Sequence, residues 1–239
     1  MSPGSPLAQR TRIKICGMTR EDDVDAAVEA GADAVGFVLY PPSSRSVSAM
    51  RAAELASRLP PFVTPVLLFV NEATGSVLEA CTRIPNAVLQ FHGDESLQQC
   101  LDGSGNGARP YLRAARISLE ETQPFDLVNF ASTFSTAQAI LLDAHVEGYG
   151  GGGKAFNWSL LPPSVNAHLV LSGGLTPANV IDGIAQVRSR CRSLAVDVSS
   201  GVEVSKGIKD PEKIHQFVAA VRAADKLLAL NQHALLSTT

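Results

Sequence analysis

Short apolar runs alternate along the chain with longer amphipathic, alanine-rich stretches. The runs at 13–16, 34–39, 66–70, 87–91, 111–115, 139–143, 168–172 and 194–198 read as strands. They lack clean in–out alternation, as expected of parallel strands covered on both faces. The stretch 21–30 predicts a helix with acidic residues in its first turn, where they suit the helix dipole, and Gly31 ends it. Further helices are predicted at about 48–58 with Ser48 as cap, at about 74–82, and as a short segment from Ser96. Two more are predicted opening at Pro177 and running from about 211 to 230. Between 116 and 138 the pattern supports only a short or distorted helix, and near Trp158 a weak one. Eight strand–helix units predict an α/β protein with a single (β/α)8 barrel, helix 5 being short or irregular. An open doubly wound sheet is the alternative. The division is a flexible N-terminal extension at 1–10, the barrel at 11–230 and a C-terminal tail at 231–239.

Polar residues follow each apolar run, and in a barrel they converge on the C-terminal mouth, where active sites of this fold lie. Gly173 and Gly174 after strand seven, and Ser199, Ser200 and Gly201 after strand eight, form a pair of glycine turns. Such turns let backbone N–H groups surround an anion, so they point to a phosphate site. Cys16 ends strand one. It reads either as a small core residue or as a thiolate brought near neutrality by cations or helix ends. Asp143 ends strand six and reads either as a loop cap or as a general acid. A phosphate held at strands seven and eight would place the attached group between Cys16 and Asp143. Arg45 is either a solvated surface residue or a carboxylate-binding guanidinium, and His92 either a pocket hydrogen-bonding group or a turn residue. The glycine-rich segment 148–154 is expected to close over a ligand; it fails the nucleotide P-loop pattern at Ala155.

Composition narrows the classes. The chain has 239 residues, of which 45% are hydrophobic and 18% charged, enough apolar material for one sizeable core. A net charge of −3 without basic clusters gives no support to nucleic-acid binding. The four cysteines at 16, 81, 100 and 191 have neither disulfide-scaffold nor zinc spacing, so no metal is expected. Without a signal-like or membrane-spanning segment, the expectation is a soluble cytoplasmic enzyme, monomeric, acting on a small phosphorylated molecule without nucleic-acid or membrane partners.

These motifs have a family likeness. Lys14-Ile-Cys-Gly-Met-Thr19, Gly36-Phe37 with Ser44-Arg45, Phe69-Val-Asn71, Leu89-Gln-Phe-His-Gly93, Leu141-Leu-Asp143, Leu171-Ser-Gly-Gly-Leu175 and Asp197-Val-Ser-Ser-Gly-Val-Glu203 occur in order. Together they resemble phosphoribosylanthranilate isomerase of tryptophan biosynthesis, over about residues 12–222. The resemblance implies an Amadori rearrangement of a phosphoribosyl amine, an intramolecular aldose–ketose redox isomerisation. It implies Cys16 as general base, Asp143 as general acid, Arg45 on the substrate carboxylate, and Gly173, Gly174, Ser199, Ser200 and Gly201 on the phosphate. No cofactor is implied. Gly152, Ala155 and Asn157 depart from the family's usual Thr, Thr and Asp.

Two rivals remain. A histidine-pathway isomerase acting on a two-phosphate substrate would need a second phosphate grip after strands three and four. Those strands here end in Asn71-Glu72 and His92-Gly-Asp94, whose acids repel phosphate. A non-catalytic phosphosugar-binding barrel would keep the glycine turns without needing both Cys16 and Asp143.

Overall fold

A computed structural model describes residues 10–117, 125–144 and 157–236. The N-terminal extension and the glycine-rich segment 148–154 lie largely or wholly outside these. Eight parallel strands close into a barrel in chain order: β1 (Arg12–Cys16), β2 (Ala34–Val38), β3 (Thr64–Phe69), β4 (Val88–Phe91), β5 (Tyr111–Ile117), β6 (Ala139–Ala144), β7 (Val165–Leu171) and β8 (Cys191–Val198). Pairing of β1 with β8 completes the ring, with Lys14 opposite Asp197. The open-sheet alternative is thereby excluded. Cys191 begins β8, three residues before the apolar run at 194–198.

The helices follow the sequence signals closely. Helix α1 (Glu21–Ala30) ends at Gly31, whose φ of 91° lies in the left-handed region that glycine enters without a Cβ clash. The Ser48 side chain accepts from the Arg51 N–H at the start of α2 (Ala49–Ala56). After α3 (Thr74–Arg83), α4 (Leu97–Gly103) opens with a reciprocal capping box between Ser96 and Gln99. The segment expected to be irregular contains α5 (Leu127–Thr133), two turns capped by Asp126.

Three helical segments differ from expectation. Pro177 sits in a turn, and α6 (Val180–Val187) starts three residues later, because Asn179 accepts from the Thr176 N–H and donates to the Gly174 carbonyl, prolonging the glycine turn. The weak helix near Trp158 is a single 3-10 turn, Trp158–Leu160. The last helix, α7 (Pro211–Leu236), continues through part of the expected tail, since nothing between 231 and 236 breaks it. A small antiparallel ribbon, β9 (Glu203–Ser205) with β10 (Ile208–Lys209), was not anticipated and caps the end of β8.

The main core lies between barrel and helices. Ile13, Ile15, Phe37, Leu67, Phe69, Leu89 and Phe91 point outward to meet Val24, Leu55, Val77 and Cys100. Alternate residues point inward and fill the barrel with a smaller apolar layer, including Ala114, Leu141 and Val170. Inward positions near the mouth are polar: Lys14, Gln90, Asp143 and Asp197 are all buried. Phe91 is wedged between Phe69 and Tyr111, with ring centroids 6.5 and 5.6 Å away. Phe91→Ala should lower the unfolding free energy by about 3–5 kcal/mol in urea titration, and a loss below about 1 kcal/mol would show that this ring is not packed.

Candidate active site

A cavity opens at the C-terminal mouth of the barrel, where active sites of this fold lie. Its wall contains Cys16, Arg45, His92, Asp143, Gly173, Gly174, Ser199 and Ser200. Eight of the nine residues singled out in the sequence therefore share one wall. The ninth, Gly201, is not on that wall and packs behind it: a Cβ there would lie 1.9 Å from the Leu175 carbonyl oxygen.

Asp143 is fixed from two sides. Its Oδ1 accepts from the Ala144 N–H at 3.0 Å, and its Oδ2 lies 2.9 Å from His92 Nε2. The other ring nitrogen of His92 lies 2.9 Å from Gln90 Nε2. With the amide donating to Nδ1, the imidazole carries its hydrogen on Nε2 and donates to the carboxylate. His92 is thus a pocket residue and not a turn residue. The loop bearing it is held from beneath, where buried Glu95 accepts from the Asn71 and Gly93 N–H groups. Arg113 donates to the carbonyls of Phe91, Gly93 and Glu95.

Cys16 lies on the cavity wall although only 5% of it is exposed. Val38, Leu68, Val70 and Tyr40 pack around it. Burial in this apolar ring pushes the thiol above its ordinary value, against the lowering effect of Lys14 and, more weakly, Lys209. The cations expected from the sequence are present, but burial outweighs them. Lys14 is itself ion-paired to Asp197 at 2.9 Å.

Arg45 is neither solvated nor unengaged. Its Nε and Nη2 donate to the two oxygens of Glu203 at 2.7 and 2.8 Å. The same carboxylate accepts from buried Lys209 at 2.9 Å. Burial alone would raise Glu203, but the two cations hold it below the usual carboxylate range. Two cations sharing one carboxylate leave a net positive charge beside Ser199 and Ser200. Lys209 also donates to the Ser199 carbonyl, and the Ser199 hydroxyl donates to the Cys16 carbonyl, so that hydroxyl is already engaged. Gly173 and Gly174 have φ of 74° and 65°, placing consecutive backbone groups in a left-handed turn at the cavity edge.

Gln90, Lys14, Asp197, Glu203 and Lys209 were not singled out as site residues. The signal was available for some of them. Lys14, Gln90 and Asp197 interrupt otherwise apolar strands, where an unpaired polar group is costly. Glu203 and Lys209 lie beyond the last barrel strand and carry no comparable signal. Among the described residues, no group of three or more His, Cys, Asp or Glu side chains is placed to hold a metal ion. No helix there is long and apolar enough to cross a membrane.

Comparison with known proteins settles the family. The model of N-(5′-phosphoribosyl)anthranilate (PRA) isomerase matches residues 13–220. The chain belongs to the phosphoribosylanthranilate isomerase family. An N-(5′-phosphoribosyl)anthranilate isomerase of Methylibium petroleiphilum is 62% identical over 223 residues, 93% of this chain and 99% of that protein. Among solved structures, phosphoribosyl anthranilate isomerase of Thermotoga maritima superposes with a TM-score of 0.76 at 38% identity, covering 89% of this chain and 99% of that one. Another, solved in complex with reduced 1-(o-carboxyphenylamino)-1-deoxyribulose 5-phosphate, gives 0.71 at 34% identity with the same coverage. As a member of this isomerase family, the chain places its family motifs around one cavity.

Gly201 provides a structural test. Any side chain at this position must push the turn after β8 away from Leu175. Gly201→Ala should cost at least about 2 kcal/mol, read as a lowered unfolding midpoint in denaturant titration, and an unchanged midpoint would refute the close approach.

Proposed function

We propose that this protein converts N-(5′-phosphoribosyl)anthranilate into 1-(2-carboxyphenylamino)-1-deoxyribulose 5-phosphate in tryptophan biosynthesis. The observation that carries the reading is the placement of Cys16 on β1 and Asp143 on β6 around a cavity flanked by the turns after β7 and β8. The substrate's phosphate sits at Gly173, Gly174, Ser199 and Ser200, where backbone N–H groups meet it. Gly201 acts indirectly, by letting its turn approach Leu175. The carboxylate of the anthranilate ring meets the outer edge of Arg45, whose inner edge Glu203 holds in plane.

In this mechanism Asp143 protonates the ribose ring oxygen. The C1–O bond breaks as the nitrogen lone pair forms an iminium, and the carboxylate left on Asp143 accepts from His92. The Cys16 thiolate then removes the C2 proton, and the C–H electron pair becomes the C1=C2 bond of a neutral enolamine. Return of a proton to C1 and loss of the enol proton give the ketone. Every step moves a proton between a substrate atom and a side chain, so no electron-accepting group is required.

Substrate generated in situ and followed by loss of its fluorescence tests the assignment. Wild-type protein should turn it over. Cys16→Ala and Asp143→Asn should each lose at least about 100-fold in kcat. Arg45→Ala should chiefly raise KM. Binding without turnover would favour a non-catalytic phosphosugar-binding barrel, and turnover of a two-phosphate substrate alone would favour the histidine-pathway reaction. The pH dependence has a definite sign. A base whose pKa is raised by burial is protonated and inactive at low pH, and its active fraction grows as pH rises through that pKa. The value of kcat/KM should therefore keep climbing past the ordinary thiol value of about 8.5. A profile that is flat from about pH 6 to 9 would remove the thiol from this role.

A further inference from the structure

We propose that Lys14 is the positioning residue that makes Cys16 ionisable: a buried ammonium, anchored by Asp197, that stands beside the sulfur and balances its negative charge. This rests on the assignment of Cys16 as the base and adds the group that lets a buried thiol serve as one.

Lys14 and Cys16 are two residues apart on β1 and so point to the same, inward face. Both are buried. The two groups converge at Gly36, the β2 residue opposite Cys16. A Cβ on Gly36 would lie 2.6 Å from the sulfur and 3.0 Å from the last methylene carbon of Lys14. The absence of a side chain on Gly36 thus leaves room for the sulfur and the end of the Lys14 side chain to lie side by side. On the other side, Lys14 opposes Asp197 in strand register and donates to it at 2.9 Å. Asp197 itself reaches the cavity wall. Burial opposes the lysine's charge, but Asp197 and Cys16 outweigh it and keep Lys14 in its charged form.

A purely structural lysine at this place would be a poor choice. A buried ion pair contributes little net stability compared with apolar residues of equal volume. An ammonium beside the sulfur instead offsets part of what the apolar ring around Cys16 takes away. The charged groups around the thiol are Lys14 on β1, Asp197 on β8, Lys209 on β10, and Arg45 in the loop after β2; Asp143 and His92 share the same cavity wall. Lys14 opposes burial more strongly than any other of these, and Asp197 acts in the reverse direction. During turnover the thiolate takes the C2 proton and becomes a thiol. Lys14 keeps all its protons, and its part is the charge.

The test measures the thiol directly. Iodoacetamide modification of Cys16, followed by peptide mass spectrometry from about pH 6 to 10, reports the thiolate fraction without relying on turnover. Lys14→Met should shift the profile upward by about one pH unit or more, making modification about tenfold slower near pH 8 while the rates converge at high pH. Since this variant strands a buried carboxylate, Lys14→Met/Asp197→Asn is its companion. With both charges gone, the core has no unpaired ion and should fold. Its profile should lie between those of wild type and Lys14→Met. Lys14→Arg should stay within about half a unit of wild type. An unshifted profile in folded Lys14→Met or in the double variant overturns the proposal, as does a uniform slowing at every pH, which would mean lost access only. Failure of the base assignment looks different: Cys16→Ala would retain activity whether or not Lys14→Met moves the thiol.

Discussion

The pairing of β1 with β8 is the constraint on which the rest of this structure depends. It closes the barrel, and its register sets Lys14 opposite Asp197. That register also brings the Ser199 hydroxyl to within 3.0 Å of the Cys16 carbonyl, so the strand bearing the thiol and the turn bearing the serines are locked together. A slip of one residue would turn Lys14, Cys16 and Asp197 out of the barrel and their apolar neighbours into it. Such a slip would leave three polar groups stranded against the helices, a cost of several kcal/mol. The hydrophobic pattern therefore guards the geometry of the site as well as the fold.

Charge in and around the barrel mouth is arranged in fixed sets, each tying one loop or strand to another. Lys14 and Asp197 join β1 to β8. Arg45, Glu203 and Lys209 join the loop after β2 to the ribbon after β8. Arg113 and Glu95 fasten the turn after β4, which carries His92 toward Asp143 on β6. In a low-dielectric interior such groups must be paired, and pairing across elements leaves little freedom in where the loops sit. The cavity wall is consequently braced by pairs that cross between elements, and polar groups that would weaken an ordinary core are placed where they orient one another.

The sequence by itself determined the order of eight strands, most helix limits and the identity of eight of the cavity's wall residues, because these depend on local causes. Buried parallel strands require apolar runs, Ser48 and Ser96 cap the helices that follow them, and Gly31 ends one by its freedom to adopt positive φ. The boundary errors also had local roots. Asn179 bonds within its turn and delays α6, and no breaking residue stops α7 at 230. Partnership was decided only in three dimensions. Arg45 reads as a solvated or ligand-binding residue until Glu203, 158 positions away, is found in its plane. His92 was ambiguous until the barrel brought it to Asp143, and Lys14 was a polar interruption in a strand until closure supplied Asp197 from the far end of the chain. A pattern along a chain records which residues want to be buried; which charge answers which is a property of the closed barrel, where distance in sequence no longer measures distance in space.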